Sequence, residues 1–299
     1  MSEIEDLIAK GQEALNEGKY KAAMTSFKKV IALDAKNPDG YFGVAESAIG
    51  NPKMSLVEVA QNYKQAIDLD PGNTIYYTSY ADFCFQNGLI PQGEANFLKA
   101  IEADKDNAPF YYNDLSFNYI NAGFKFIERV QEMKQTKYDV MKKAIEYSLK
   151  AIDMPSAEAV KVAKMLIEKA PKFGELNNDA EETKKLGSIP EAKDLLNMLK
   201  KEGDNPYLYV EIGQLCFDSG LPKTGEDYFL KASEVDPSNS RFFFNELKVN
   251  LAIFAKNNAI KGVSKDDLKM KLVFYTAKSL RVTPEDIVYV FTGETIEKK

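Results

Sequence analysis

Residues 207–237 read YLYVEIGQLCFDSGLPKTGEDYFLKASEVDP, two amphipathic segments joined by a short turn. Tyr209, Ile212 and Cys216 recur every three or four positions in the first segment, and Phe229 and Ala232 do so in the second. That spacing puts each apolar set on one face of a helix. Gly213 and Gly225 carry no side chain and so let the paired helices approach closely. Gly220 supplies the left-handed backbone that ends the first helix. Pro237 stops the second.

The unit recurs within the chain. Cys84–Ala100 aligns with Cys216–Ala232 without a gap, with 10 identities in 17 positions, so one structural unit has been duplicated. The pattern large-x2-Leu-Gly-x2-large, a glycine before the second helix, then Phe-x2-Ala-x4-Pro, resembles the tetratricopeptide repeat (TPR), whose period is roughly 34 residues. Residues 3–35, with Leu7, Gly11, Ala14, Gly18, Tyr20, Ala23 and Phe27, and residues 73–107, with Tyr77, Tyr80, Ala81, Cys84 and Phe97, carry the resemblance most fully beside 206–239. It is looser over 38–72 and 109–152, and weakest over 156–204 and 241–282. The resemblance implies an all-α fold, a right-handed superhelical solenoid of about seven antiparallel helix pairs whose first helices line a concave groove.

The expected organisation places four repeats in 1–152, a divergent repeat with a polar loop in 153–204, further repeats in 205–282, and a terminal capping segment and tail in 283–299. Asn51-Pro52 marks a longer turn in the second repeat. Phe124–Tyr138, with Phe126, Ile127, Val130 and Met133 at helical spacing, reads as an inserted helical extension of the fourth. In the fifth, Ser156–Lys169 would pair with the helix holding Ile189, Ala192, Leu196 and Leu199, and the polar stretch between them is the expected flexible point. Thr283-Pro284 signals a helix start, Thr283 as N-cap and Pro284 in the first turn.

Composition narrows the function classes. The 299 residues carry a net charge of −6, which disfavours a surface that binds phosphates by counterion release, and hence a nucleic-acid partner. There is no histidine, so Ser-His-Asp and Cys-His catalysis and histidine-ligated zinc are excluded. Two cysteines, Cys84 and Cys216, cannot build a four-cysteine zinc site, and they occupy equivalent packing positions. No phosphate loop, paired catalytic motif or metal-ligand spacing is found, so neither an enzyme nor a cofactor is expected. The opening MSEIEDLIAK is charged and amphipathic, and no apolar run reaches the roughly 18 residues of a membrane span, which makes the cytoplasm the default and membrane insertion unexpected.

The groove implied by the resemblance would be lined by Thr78, Asp82, Phe85 and Gln86 from the third repeat, and by Asn113, Phe117 and Asn121 from the fourth. Val210, Gln214 and Phe217 from the sixth and Asn245 from the seventh would complete it. Aromatic anchors among neutral polar groups suit an extended segment or an amphipathic helix. Phe85 and Phe217, equivalent in the duplicated units, have an equal claim to packing between adjacent repeats. The Lys/Asn/Arg clamp by which one TPR subclass grips C-terminal carboxylates is missing, since Ile8, Gln12 and Gly43 stand at its places. The leading function is a non-catalytic scaffold or adaptor that binds a protein or peptide partner in the groove, and the alternative is a structural assembly factor, a homo-oligomer included, that docks through the apolar segment Ile287–Phe291; an enzyme of this architecture with a carboxylate-based site also stays open.

Overall fold

The computed structural model describes residues 2–50, 54–132 and 136–296; Asn51, Pro52 and Met133 of the expected turn and insertion lie outside them. Among the described residues every regular element is helical. The chain forms two compact units, Met1–Tyr111 and Tyr112–Lys299.

The first unit holds three antiparallel pairs: α1 (Glu3–Asn16) with α2 (Tyr20–Leu33), α3 (Pro38–Glu46) with α4 (Leu56–Leu69), and α5 (Thr74–Gln86) with α6 (Ile90–Ala103). Local sequence sets the boundaries. Ser2 with Glu5 and Ser55 with Glu58 form capping boxes that satisfy first-turn N–H groups of α1 and α4. Gly18 and Gly88, at φ +69° and +73°, make the turns inside the first and third pairs.

The pairs interlock through phenylalanines seated over glycines. The Phe27 ring lies between Gly11 and Gly43, where an added Cβ would come within 2.6 and 2.3 Å of it. It thereby ties α1, α2 and α3 together, at 2% exposure. Burying a side chain of this size contributes about 1.5–3 kcal/mol. In the third pair the partners exchange roles: Phe85 of α5 sits over Gly93 of α6, 2.6 Å from its would-be Cβ.

The second unit begins within α7 (Ala108–Lys125), followed by the short α8 (Ile127–Glu132) and by α9 (Lys137–Lys150). The residues expected to form an insertion therefore partly extend the first helix of the fourth pair. α7 and α9 pair through Ser116, whose hydroxyl donates to the Ala144 carbonyl at 2.7 Å, and through Tyr147 stacked on both Tyr112 and Tyr119. Next come α10 (Ser156–Lys169), α11 (Ala180–Leu186), α12 (Pro190–Glu202), α13 (Pro206–Asp218), α14 (Pro222–Val235), α15 (Ser240–Asn257), α16 (Lys265–Leu280) and α17 (Pro284–Thr292).

α13 and α14, the pair read first in the sequence, cross at their two glycines. Phe229 fills the space over Gly213, Phe217 fills that over Gly225, and Gly220 turns the chain at φ +77°. α15 and α16 form the next pair.

Three features depart from a plain array. The helices expected to make the fifth pair take different partners: α10 packs on α16 and α17, whereas α12 packs on α13. The polar stretch between them is pinned rather than loose. The backbone N–H groups of Asn177 and Asn178 donate to the two carboxylate oxygens of Asp227 at 2.6 and 2.9 Å, and Phe173 meets Phe274 edge to face. Finally, α9 and α10 contact α16 and α17 across more than a hundred residues of sequence, so repeats beyond nearest neighbours share one core. Thr283 caps α17 and Pro284 opens it, as the sequence predicts.

Candidate functional site

The expected groove residues separate into two groups. Phe85, Asn113, Val210, Phe217 and Asn245 are buried, at 2, 1, 7, 5 and 4% exposure, and so do not line an open surface. Phe85 and Phe217 owe this to the glycine slots they fill. Asn245 accepts a hydrogen bond from the Lys248 ammonium at 2.8 Å. Thr78, Asp82, Phe117 and Gln214 are partly exposed, and Gln86 and Asn121 are exposed. Within the second unit, however, Arg241 of α15 lies over the Phe117 ring, 4.9 Å from its centroid, and donates to the side-chain Oδ1 of Asn121 at 3.0 Å. The chain's own side chain thus covers that part of the expected lining.

Asp82 and Gln86 are different. Both line an open cleft of ≈ 420 Å³ in the first unit, formed where the end of α3, the start of α4 and the last turns of α5 converge. Ser79 and Phe83 stand one helical turn from Asp82 and Gln86 on the same face of α5, and Asn87 follows at its end. Across from them lie Glu46 of α3 and Leu56, Val59 and Tyr63 of α4. Sequence spacing alone could have found Ser79 and Phe83, because they complete an i, i+3, i+4, i+7 stripe with Asp82 and Gln86. Glu46 and Tyr63 come from other helices, and no spacing signal reaches them.

An aromatic floor holds the cleft open. Tyr63 stacks on Tyr80 at 5.4 Å between centroids and meets Phe83 at 5.6 Å and Phe42 at 6.2 Å. The Tyr63 hydroxyl donates to Glu46 Oε1 at 2.6 Å, which fixes the carboxylate at the rim. Burial raises the Glu46 carboxyl above its ordinary range, only partly offset by that hydrogen bond. Burial, with the Glu46 charge next in importance, also pushes the Tyr63 phenol far up, so it stays a neutral donor.

The buried polar groups of the second unit are arranged for structure. Glu226, 3% exposed, accepts from Lys271 Nζ at 2.7 Å and from Asn177 Nδ2 at 3.0 Å, and also from the Tyr275 hydroxyl. Lys248, wholly buried, donates to Ser148 and Asn245 and ties α15 to α9. Burial lowers its ammonium to about 7, with Glu246 pulling weakly the other way. In the unfolded chain a lysine titrates near 10.4. Between those values the unfolded state holds the extra proton, so stability rises with pH from about 7 until the ordinary tyrosine range near 10. Urea midpoints should therefore increase from pH 7 to about pH 9, and the increase should vanish in Lys248→Met; parallel curves for the two proteins would contradict the assignment.

Cys84 and Cys216 are buried free thiols, and burial raises them to about 11 and about 12, so they serve as small apolar side chains rather than nucleophiles. Among the described residues no group of three metal-ligating side chains occurs, and no helix is long and apolar enough to cross a membrane. Of the apolar terminal segment expected to dock elsewhere, Ile287 and Val288 are used internally, whereas Tyr289 is exposed. Ile287 and Val288 of α17 are fully buried, and the helix packs on α10, α9 and α16.

Stacked antiparallel helix pairs with phenylalanine seated over glycine define an all-α helical-repeat protein. The tetratricopeptide-repeat family model matches residues 7–37, which take in most of α1, all of α2 and the turn beyond it. Solved structures that it resembles include the MamA protein, at 15% identity over 80% of this chain and 95% of that one, TM-score 0.38. PilF of Pseudomonas aeruginosa is 18% identical over 81% and 96%, TM-score 0.37. A tetratricopeptide repeat protein from Parabacteroides merdae is 13% identical over 92% and 98%, TM-score 0.37. No curated protein matches the sequence.

Proposed function

We propose that the protein is a non-catalytic scaffold that binds a segment of a protein partner in the cleft of its first unit. TPR folds generally serve as interaction scaffolds. The observation that carries the proposal is the ≈ 420 Å³ cleft itself, into which Asp82 and Gln86 of the expected groove project beside Ser79, Phe83 and Tyr63. Aromatic and aliphatic side chains set beside several polar groups suit a segment-binding site. In the second unit Arg241 lies over Phe117 and covers that part of the expected lining, which favours the first unit.

Peptides selected from a random display library on the full chain test this. Ser79→Trp places an indole in the cleft and should weaken the selected peptides roughly ten-fold or more, a loss of about 1.4 kcal/mol, with the helical circular-dichroism signal kept. Unchanged binding would put the binding surface elsewhere.

A further inference from the structure

Arg241 of α15 has three contacts and one idle nitrogen. Its Nε donates to the Ser279 carbonyl in the last turn of α16 at 3.0 Å, its Nη1 donates to Asn121 Oδ1 at 3.0 Å, and its guanidinium lies over the Phe117 ring. Nη2 is buried and meets no acceptor. A charged donor left without a partner costs more than a neutral one. Arg281 stands two residues beyond Ser279, at the C-cap of α16, and is exposed. Among the described residues neither arginine forms an ion pair. Burial, and after it the charge of Arg281, lowers the Arg241 guanidinium below its ordinary value, so the two like charges are close enough to repel. The acidic residues nearest in sequence do not answer them. Asp286 accepts from the Thr283 N–H and hydroxyl, Asp236 accepts from Ser238 and Asn239, and Glu285 pairs with neither arginine. The negative end of α16 accounts for one guanidinium on the Ser279 carbonyl. It does not account for the second charge or for the idle Nη2. Asn121 adds a further donor: Arg241 takes its Oδ1, its Nδ2 makes no hydrogen bond among the described residues, and the side chain is exposed.

We infer that Arg241, Arg281 and Asn121 form a site for a phosphate group, the two guanidinium groups and the Asn121 amide donating to its oxygens. Guanidinium donors match phosphate oxygens in pairs. A phosphate close to doubly charged balances two arginines, where one carboxylate balances one. Asn121 and Arg281 are exposed, so the phosphate enters from their side and reaches the half-buried Arg241 past them. The site lies wholly in the second unit and stands apart from the cleft of the first. It takes a single phosphate group rather than a nucleic-acid backbone, in keeping with the net charge of −6.

The phosphate has two sources, the free ion and a phosphorylated side chain, and calorimetric titrations of the full chain with inorganic phosphate and with O-phosphoserine separate them. At least one should bind in chloride buffer of constant ionic strength, and the tighter of the two identifies the source. Arg281→Gln removes an exposed side chain without an ion pair, so it should keep the wild-type melting curve measured without phosphate. It should weaken phosphate binding roughly ten-fold, the worth of one charged hydrogen bond. Arg241→Lys, which keeps the charge and loses the planar fork, should weaken it by at least as much. Lys278→Gln removes an equal charge from the same helix, from a side chain that lies over Phe274, and should leave binding unchanged. Binding of neither compound, binding that survives Arg281→Gln, or an equal loss with Lys278→Gln would overturn the site.

Discussion

Ile287→Asp should unfold the core of the second unit, because it buries a carboxylate where α17 meets α10, α9 and α16. Ile287 is fully buried, with Val288 beside it. Truncating a buried isoleucine to alanine costs about 2–5 kcal/mol, and an unpaired buried charge adds to that. Since whole domains are stable by only about 5–15 kcal/mol, the change is a large fraction of the total. Amide exchange should accelerate in α10 and α16, which lose their partner, while α1–α6 keep their protection. Removing the chain after Arg281 should act in the same way, although the capping box of Thr283 and Asp286 would go with it. If the terminal segment instead served to join molecules, either change would alter the mass in solution and leave exchange in α10 untouched.

Gly43→Ala should destabilise the first unit, although alanine is the better helix former. Propensity alone favours alanine over glycine by about 1 kcal/mol inside a helix. At Gly43 a Cβ would stand 2.3 Å from the Phe27 ring, whose other edge already meets Gly11. The ring cannot retreat, and overpacking of this kind costs about 1–3 kcal/mol. The sign of the net change is therefore the test, read from the thermal midpoint. Phe27→Leu, which empties part of the slot, should recover some of the loss when combined with Gly43→Ala. Gly187→Ala is the matched control: its added Cβ would meet only carbonyl oxygens at 3.6 Å or more, in a helical conformation, so no loss is expected there. A stabilised Gly43→Ala would show that close approach is not what glycine provides.

Much of the fold was legible because each repeat writes its packing locally. A glycine and a phenylalanine at fixed offsets within some thirty residues define the contact between two neighbouring helices, so the α1–α2, α5–α6 and α13–α14 pairs could be read from spacing. What spacing does not contain is contact between distant segments. Nothing in the periodicity of Ser156–Lys169 says that α10 turns its apolar face to α16 and α17 rather than to α12. The polar run Pro171–Lys185 reads as flexible for the same reason: Asp227, the partner of its Asn177-Asn178, lies about fifty residues further on.

The cleft was half legible. Asp82 and Gln86 follow from the position of α5 as the first helix of its pair. Phe85 failed as a groove residue because one step around the helix turns it toward Gly93. Glu46 and Tyr63 enter the cleft from the preceding pair, held together by a hydrogen bond between residues seventeen positions apart. A rule that projects one helix at a time cannot find them.

The most direct measurement of binding in the first unit is site-specific photo-crosslinking in the full chain. A photoreactive amino acid at Gln86, exposed at the cleft, is compared with one at Leu98, exposed on the second helix of the same pair. A selected peptide should crosslink from position 86 and not from position 98, and Ser79→Trp should abolish the product. Equal crosslinking from both positions, or a product at 86 that survives Ser79→Trp, would contradict a binding site in the cleft.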